Sequence, residues 1–120
     1  MTQEEKELLI KDLCARLPYG VKMSVNDNVE VLQGINIVDN IVEYSSFLAS
    51  EIEDCKPYLF PLSSMTDEQE KEYNNLNCYE LGCFPHSEEA LDYLTKNHFD
   101  YRYLIEKGLA IDATGLNIYF

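Results

Sequence analysis

Basic residues are scarce in this 120-residue chain, which has nine Lys and Arg against 22 Asp and Glu and a formal net charge of -13 at pH 7. Proteins that bind nucleic acid neutralise its phosphates with Lys and Arg, and anionic membrane surfaces attract the same residues. The composition therefore argues against direct binding to nucleic acid or to a membrane. An acidic excess of this size either keeps a small protein in solution or attracts a basic partner protein.

Long apolar runs are also missing. A helix that crosses a bilayer needs about 20 consecutive apolar residues, whereas the apolar runs here are short. An export signal has a basic start before an apolar block, but this chain begins with the letters MTQEEKE. We therefore expect a cytoplasmic protein whose four cysteines stay reduced.

The motifs of common catalytic classes are absent as well. The sequence has no Walker phosphate loop, no Gly-rich dinucleotide turn and no nucleophile elbow. Catalysis by paired carboxylates needs two carboxyl groups in different environments facing one pocket, and an acidic run such as Glu88, Glu89 and Asp92 does not indicate that. We expect a protein that is not an enzyme and has no cofactor.

What the chain does have is the composition of a single folded domain, with 46% hydrophobic and 26% charged residues. Thr2 and Glu5 form a capping-box pattern that predicts the start of an N-terminal helix. Apolar residues then recur at helical spacing until Pro18 and Gly20 end the run; these residues are Ile10, Leu13, Cys14 and Leu17. The pattern places Cys14 on the buried stripe, where a thiol behaves as a small apolar group.

After the first helix the apolar period changes to two, which is typical of strands. Short β-branched runs are separated by turn-forming residues, namely the polar turn Asn26-Asp27-Asn28 and the pair Gln33-Gly34, which suits a bulge or tight turn. The predicted strands are Val21–Val25, Val29–Leu32, Ile35–Val38 and Ile41–Tyr44. The simplest interpretation is an antiparallel meander.

Two prolines four residues apart mark the segment Lys56–Pro61. Proline cannot donate a hydrogen bond to a sheet, so it is usually confined to edge strands. We predict that this segment is an edge strand or an extended cover segment that closes the sheet, and that it is not a central strand.

The sequence of the C-terminal half predicts mainly helices. Thr66 and Gln69 form a second capping box, which opens a highly charged helix over Asp67–Asn74. Ser87 is the predicted cap of a helix that extends to Asn97, with Ala90, Leu91 and Leu94 on its buried side.

The last segment reads as a short turn and a strand. Asp100 is predicted to cap a turn over Tyr101–Lys107, which Gly108 ends before a strand over Leu109–Ala113. The predicted fold is one α+β domain over residues 1–120, with an N-terminal helix, an antiparallel sheet of three to five strands and C-terminal helices packed on it. A barrel-like sheet is the alternative.

Three stretches of sequence resemble a family of small acidic proteins from gut Bacteroidetes genomes and their phages and mobile elements. They extend from Asp12 to Lys22, from Lys56 to Thr66, and from His98 through Arg102 on to Lys107–Ala110. The resemblance implies a bacterial or phage cytoplasm. It implies no activity, cofactor or catalytic residue, because none is assigned to that family.

Cysteine and histidine suggest one chemical alternative. Cys78 and Cys83 are followed by His86, and His98 or Cys55 could complete a zinc site, although the spacing is at the margin of known zinc knuckles. A thiol nucleophile at Cys83 assisted by a histidine would need a lowered pKa that the sequence does not indicate. Thiols without a metal in an irregular loop are the favoured interpretation.

Acidic residues are concentrated in the region of the two C-terminal helices, where eight carboxylates accompany the single base Lys71. They are Asp67, Glu68, Glu70, Glu72, Glu80, Glu88, Glu89 and Asp92. Such a face usually serves solubility alone. It could also contact a basic protein, or imitate the phosphates of a duplex and inhibit a DNA-binding enzyme of the restriction or CRISPR type.

Aromatic residues form a second candidate surface. Tyr93, Phe99, Tyr101 and Tyr103 lie near the predicted junction of the last two helical segments. Tyrosine is enriched at protein interfaces, but aromatics at such a junction more often build the core. We expect a non-catalytic accessory or protein-interaction protein, with the nucleic-acid mimic as the alternative and a small Cys/His metal-binding domain as the second alternative.

Overall fold

The computed structural model describes residues 1–76 and 88–119 of the chain. It confirms the α+β class, with one helix before an open, mostly antiparallel sheet and two helices after its first five strands. The helices are α1 (Gln3–Arg16), α2 (Asp67–Leu76) and α3 (Glu88–Lys96). The strands are β1 (Lys22–Val25), β2 (Asn28–Asn36), β3 (Ile41–Tyr44), β4 (Ala49–Glu51), β5 (Cys55–Pro61), β6 (Phe99–Asp100) and β7 (Ile111–Asp112). These seven strands exceed the predicted three to five, because short strands from the C-terminal segment join the sheet.

Helix α1 begins at its capping box. The Thr2 hydroxyl accepts a hydrogen bond from the Glu5 amide (3.1 Å), and the Glu5 carboxylate accepts one from the Thr2 amide (2.9 Å). These two bonds satisfy backbone donors that a free helix end would leave unpaired. The chain leaves the helix through a 3₁₀ turn over Leu17–Tyr19, as the proline predicts.

The predicted buried face of α1 is confirmed in part, because Leu13 is buried and Ile10 and Leu17 are half-buried against the core. Leu9 and Leu13 are fully buried, and Asp12 and Arg16 are buried beside them, whereas Cys14 is exposed. Residues three and four apart share a helix face, so the buried residues form one stripe and Cys14 points away from it. The prediction of a buried Cys14 is wrong because it followed apolar residues alone, while two of the four positions on the true stripe are charged.

The first four strands form the predicted antiparallel meander, in the order β4-β3-β2-β1. Asn26 and Asp27 connect β1 to β2 in left-handed backbone conformations, with φ of 50° and 67°, as expected for a two-residue hairpin turn. The β2–β3 register shifts between Leu32 and Gly34, which confirms the bulge. The separate strand predicted over Ile35–Val38 is wrong, because β2 continues through the bulge to Asn36.

Strand β5 is interior to the sheet, so the predicted edge position is wrong. It pairs with β1 in antiparallel fashion and with β6 and β7 in parallel fashion. The Phe60 amide donates to the His98 carbonyl (2.8 Å), and the Ala113 amide donates to the Leu59 carbonyl (2.8 Å). Because consecutive residues of a strand direct their backbone groups to opposite sides, β6 and β7 lie along opposite sides of β5.

The prolines of β5 are tolerated because they share one side of the strand. Pro57 and Pro61 have the same parity as Leu59, so their missing N–H groups face the side of β7. β7 pairs only with Tyr58 and Leu59. The side that pairs with β1 and then with β6 therefore loses no donor.

A tyrosine from the C-terminal segment bridges β1 and β5 where the two strands diverge. Their pairing ends at Met23 and Pro57, and the next pair would be Lys22 with Tyr58. The Lys22 amide instead donates to the Tyr119 hydroxyl (2.9 Å), which donates to the Tyr58 carbonyl (2.7 Å). The C-terminal segment is thus tied to the middle of the sheet.

The second capping box is also confirmed. The Thr66 hydroxyl accepts from the Gln69 amide (3.1 Å), and the Gln69 side chain accepts from the Thr66 amide (2.9 Å). Helix α3 packs against α2 and β6 and buries Ala90 and Leu94 completely, while Leu91 is half-buried. Ser87, the predicted cap of this helix, lies outside the described residues.

The segment after β6 is a series of turns that its capping residue organises. The Asp100 carboxylate accepts hydrogen bonds from the amides of Leu104 and Ile105, both at 2.9 Å, which confirms the predicted cap. The predicted strand Leu109–Ala113 is shorter than expected and consists of Ile111–Asp112. Over the residues that the structure describes, no helix has both the length and the apolar character needed to cross a bilayer.

Candidate functional site

The predicted acidic surface lies on the outside of the molecule. All the acidic side chains that the structure describes on α2 and α3 are exposed, namely Asp67, Glu68, Glu70, Glu72, Glu89 and Asp92. We call these six residues the acidic face. Glu80 and the side chain of Glu88, which belong to the same prediction, lie outside the described part of the chain.

Helices α2 and α3 pack against each other, so their carboxylates share one region of the surface. Burial, together with the Glu72 carboxylate that accepts its hydrogen bond, raises the pKa of Tyr93 to about 12. This contact joins the two helices at the centre of the acidic face. On α2 the spacings of three and four between Asp67 and Glu70 and between Glu68 and Glu72 produce two neighbouring rows of charge. These carboxylates are all exposed to solvent.

Most residues of the predicted zinc site lie outside the described part of the chain, namely Cys78, Cys83 and His86. Of the remaining candidates, Cys55 is buried and its thiol donates to the Ile52 carbonyl (3.6 Å). Burial raises the pKa of this thiol, which makes it a poor nucleophile. Residues 1–76 and 88–119 contain no cluster of three or more potential metal ligands. The metal-binding hypothesis stays a prediction.

The predicted aromatic junction is divided between the core and the surface. Phe99 is buried, Tyr101 is half-buried, and Tyr103 is 55% exposed in a left-handed conformation with φ of 59°. Two guanidinium groups lie near the ring of Tyr101, with that of Arg16 5.4 Å and that of Arg102 4.8 Å from the ring centre. Tyr101 therefore has a structural role that its type alone does not reveal.

Below the aromatic junction lies a buried charge cluster that sequence reasoning missed. Asp12 accepts hydrogen bonds from Arg16 (2.7 and 3.2 Å) and from Arg102 (3.1 Å). Arg16 also donates to the Phe99 carbonyl (2.6 Å). Arg16 is completely buried, and within the described structure its Nη1 has no partner. The available signal was the spacing of four between Asp12 and Arg16 on the same helix face as two leucines.

A cleft opens beside this cluster, where the end of β5, the start of α2, the end of α3 and the C-terminal segment meet. Its volume is about 430 Å³. Four aromatic rings form its apolar wall, those of Phe60, His98, Phe99 and Tyr119. The His98 and Tyr119 rings are stacked with their centroids 3.9 Å apart and an interplanar angle of 12°, and Phe60 lies 5.7 Å from Tyr119.

His98 occupies the turn between α3 and β6, with φ of 64°. Its amide donates to the Thr95 carbonyl (3.2 Å), and its carbonyl accepts from Phe60, so its backbone is fixed at both ends. Burial, with the nearby charges of Arg16 and Lys22, lowers the pKa of His98 to about 4. The imidazole is therefore neutral at pH 7. Its Nδ1 is buried and has no hydrogen-bond partner among the residues described.

The described polar groups that line the cleft are neutral apart from Lys96. They include the hydroxyl groups of Thr66 and Thr114, the amide groups of Gln69 and Asn97, and the ammonium group of Lys96. Of the lining residues within the described ranges, none is Asp, Glu or Cys. The sequence suggested His98 as a metal ligand or as a histidine assisting a thiol nucleophile, and it did not reveal this cleft, because the walls come from four separate segments.

Comparisons with known proteins give no further guide to function. The chain matches no model of a protein family, no curated protein and no solved structure.

Proposed function

We propose that this protein is a non-catalytic interaction protein of a bacterial cytoplasm that binds a basic partner protein through its acidic face. The observation that carries the proposal is the exposure of six carboxylates on two helices that pack against each other. The only Lys or Arg between Asp67 and Asp92 is Lys71. The face therefore has the sign and the density of charge that a basic surface would complement.

Helix α2 supports this proposal because it contributes little to the core. From Asp67 to Asn75 no residue is buried, and Gln69 and Tyr73 are the half-buried ones. A helix with so little apolar packing gains little stability from the rest of the chain. Its acidic side chains are exposed to solvent, where a partner can approach them.

The expected mode of binding follows from the magnitudes. A single exposed ion pair contributes about 0.2–1 kcal/mol, so no one carboxylate can dominate. Six together create a field that accelerates the encounter with a basic surface and weakens as salt screens it. Binding should therefore depend on the whole face and decrease steeply between low and high ionic strength.

The test is affinity capture followed by direct measurement. The protein is immobilised and exposed to a lysate of a gut Bacteroidetes species, and retained proteins are identified by mass spectrometry. Each purified candidate is then titrated against wild type at about 50 and 300 mM salt. We expect a basic partner whose affinity decreases at least tenfold over this range.

A matched pair of variants locates the interface. The first neutralises the α2 part of the acidic face (D67N, E68Q, E70Q, E72Q), and the control neutralises four exposed acids elsewhere (D27N, E51Q, D54N, E106Q). Both lower the net negative charge by the same amount. The proposal requires that the first variant lose binding and that the control keep most of it. Equal losses, or a partner whose affinity ignores salt, would contradict it.

A second candidate function is inhibition of a DNA-binding enzyme by imitation of its substrate. Four carboxylates of α2 occur within six residues, which at 1.5 Å per residue is about one charge per 2.5 Å of helix axis. Duplex DNA has one charge per about 1.7 Å. A panel of restriction and CRISPR nucleases titrated with the protein would distinguish this function, because an inhibitor of this kind must compete with DNA.

A further inference from the structure

The cleft beside His98 has the size and the shape of a small-molecule site. Its volume of about 430 Å³ falls within the range of about 300–1,000 Å³ typical of ligand pockets. The rings of Phe60, His98, Phe99 and Tyr119 provide apolar surface on which a flat molecule can lie. Hydroxyl and amide groups at Thr66, Gln69, Asn97 and Thr114 complete its polar wall.

The aromatic wall is fixed before any ligand arrives. The Tyr119 hydroxyl has hydrogen bonds to both β1 and β5, and its ring is stacked on His98. His98 holds a left-handed conformation that costs a residue other than glycine free energy. Rigid walls lower the entropy that binding must overcome.

Among the described residues that line the cleft, the one charged side chain is basic. Lys96 lines the cleft, and Lys22 lies behind its wall with the ammonium group 5.7 Å from the centre of the Tyr119 ring. Arg16 lies behind His98 and Phe99 and donates to the Phe99 carbonyl. Three of the nine basic residues thus surround the cleft, and no acidic residue is among its lining in the described ranges.

The buried cluster behind the wall supplies an independent observation. Its two guanidinium groups share one carboxylate, that of Asp12. Arg16 is fully buried with Nη1 unpaired in the described structure. The cluster has two positive charges and one negative charge, with Arg102 partly exposed, and the buried Arg16 guanidinium favours a negative charge nearby because little solvent screens the interaction.

We infer that the cleft binds an aromatic acid, a flat ring with one anionic group, which stacks on the aromatic wall and directs its charge towards Lys96. The anionic group is a carboxylate or a phosphate, since both satisfy the same cation. Residues at the start of α2, Thr66 and Gln69, line the cleft beside the acidic face, but the inference does not use the acidic carboxylates and does not rest on the proposed function. Because the chain has a net charge of -13, a site for a small anion needs a local positive charge, and Lys96 supplies one here.

The absence of tryptophan from the chain makes the experiment direct. Indole probes can be excited without a protein tryptophan signal, and their fluorescence anisotropy rises on binding. Indole-3-acetate tests a carboxylate, indoxyl phosphate tests a phosphate, and indole-3-acetamide is the neutral control of nearly the same shape. We expect at least one of the two anions to bind about fivefold or more tighter than the amide.

Two lysine variants locate the site. Lys96→Gln should weaken binding of the preferred anion about three- to tenfold and leave the amide unchanged, and Lys96→Arg should restore most of the affinity. Lys56→Gln is the matched control, because Lys56 is exposed on β5 about 13 Å along the strand from Phe60. It should change neither affinity.

The outcomes separate cleanly. Tighter binding of one anion identifies which anionic group the natural ligand has. Equal binding of both anions and the amide, loss of anion binding equally in both glutamine variants, or no anisotropy change for any probe up to millimolar concentration would each overturn the inference. None of these outcomes depends on whether a basic partner protein is found.

Discussion

Carboxylates occur in two opposite environments in this protein. Asp12 and Asp100 are buried and satisfied by specific donors, two guanidinium groups for Asp12 and two backbone amides for Asp100. The carboxylates of the acidic face are exposed, and their effect depends mainly on how many of them there are. The same carboxylate group therefore maintains the fold in one region and forms a charged surface in the other. The buried carboxylates have lost their contact with water and depend on specific hydrogen-bond donors, whereas the exposed ones remain solvated.

The largest expected effect comes from breaking the buried cluster. Asp12→Asn would leave Arg16 and Arg102 without their shared counter-charge, with Arg16 fully buried. Removal of one partner of a buried ion pair costs about 3–5 kcal/mol. We expect a decrease of that size in the free energy of unfolding, measured by urea denaturation. Asp92→Asn, on the exposed side of α3, should change it by less than about 0.5 kcal/mol.

One result of this comparison between Asp12→Asn and Asp92→Asn would contradict the prediction. If Asp12→Asn and Asp92→Asn had similar small effects, the buried ion cluster would contribute nothing specific to stability. An Asp12→Asn variant that does not fold at all would agree with the prediction, provided that Asp92→Asn folds normally.

An intermediate effect is expected at Asp100. Asp100→Ala removes the acceptor for two backbone amides, one of them in the buried residue Leu104. The loss of such a cap costs about 2 kcal/mol. Asp112 is the matched control, since it accepts from the amide of the exposed residue Thr114 (2.9 Å). Asp112→Ala should cost about 0.5 kcal/mol, and equal effects at the two positions would contradict the role of burial.

His98 should make stability depend on pH in a defined window. Its pKa is lowered to about 4 in the folded protein, whereas the unfolded chain binds a proton near pH 6.5. The unfolded state therefore binds more protons between these values, and stability falls as pH falls from about 6.5 to 4. The ring is partly exposed, so we expect a contribution of about 1–2 kcal/mol.

The pH prediction is tested by a difference between two chains. His98→Asn keeps a residue that tolerates a left-handed conformation and removes the titrating group. The difference in unfolding free energy between wild type and variant, measured from pH 4 to 7.5, should change over the window and be flat above about pH 7. A constant difference would show that His98 titrates normally in the folded state.

Local features of the fold were predictable from the sequence. Both capping boxes, the Asn26-Asp27 turn and the bulge at Gly34 depend on residues within four positions of each other, and all are confirmed. The position of β5 was not predictable in this way, because the side to which a proline directs its missing donor depends on the register with β1.

The candidate site was even harder to predict from local sequence patterns than the position of β5. Exposure of the acidic face followed from charge density along a helix. Asp12 and Arg102 are 90 positions apart, and the cleft unites α2, α3, β5 and the C-terminal segment. No local pattern brings such residues together, and charged residues on a helix usually face solvent. The spacing of Asp12 and Arg16 was a local signal, whereas the contacts of this pair with Arg102 and with the Phe99 carbonyl are visible only in the three-dimensional structure.

The smallest expected effect concerns an exposed carboxylate of the acidic face, that of Glu72. Glu72→Gln removes the like-charge pair at a spacing of four with Glu68, worth about 0.2–0.5 kcal/mol, and can preserve a hydrogen bond to the Tyr93 hydroxyl. The unfolding free energy should rise by no more than about 0.5 kcal/mol at low salt, and the difference should disappear near 1 M salt because screening removes the repulsion. The pKa of Tyr93 should decrease, since the carboxylate beside its hydroxyl contributes to the elevation to about 12. A loss of more than about 1 kcal/mol would mean that Glu72 resembles Asp12 in its role, and the acidic face would then be partly structural.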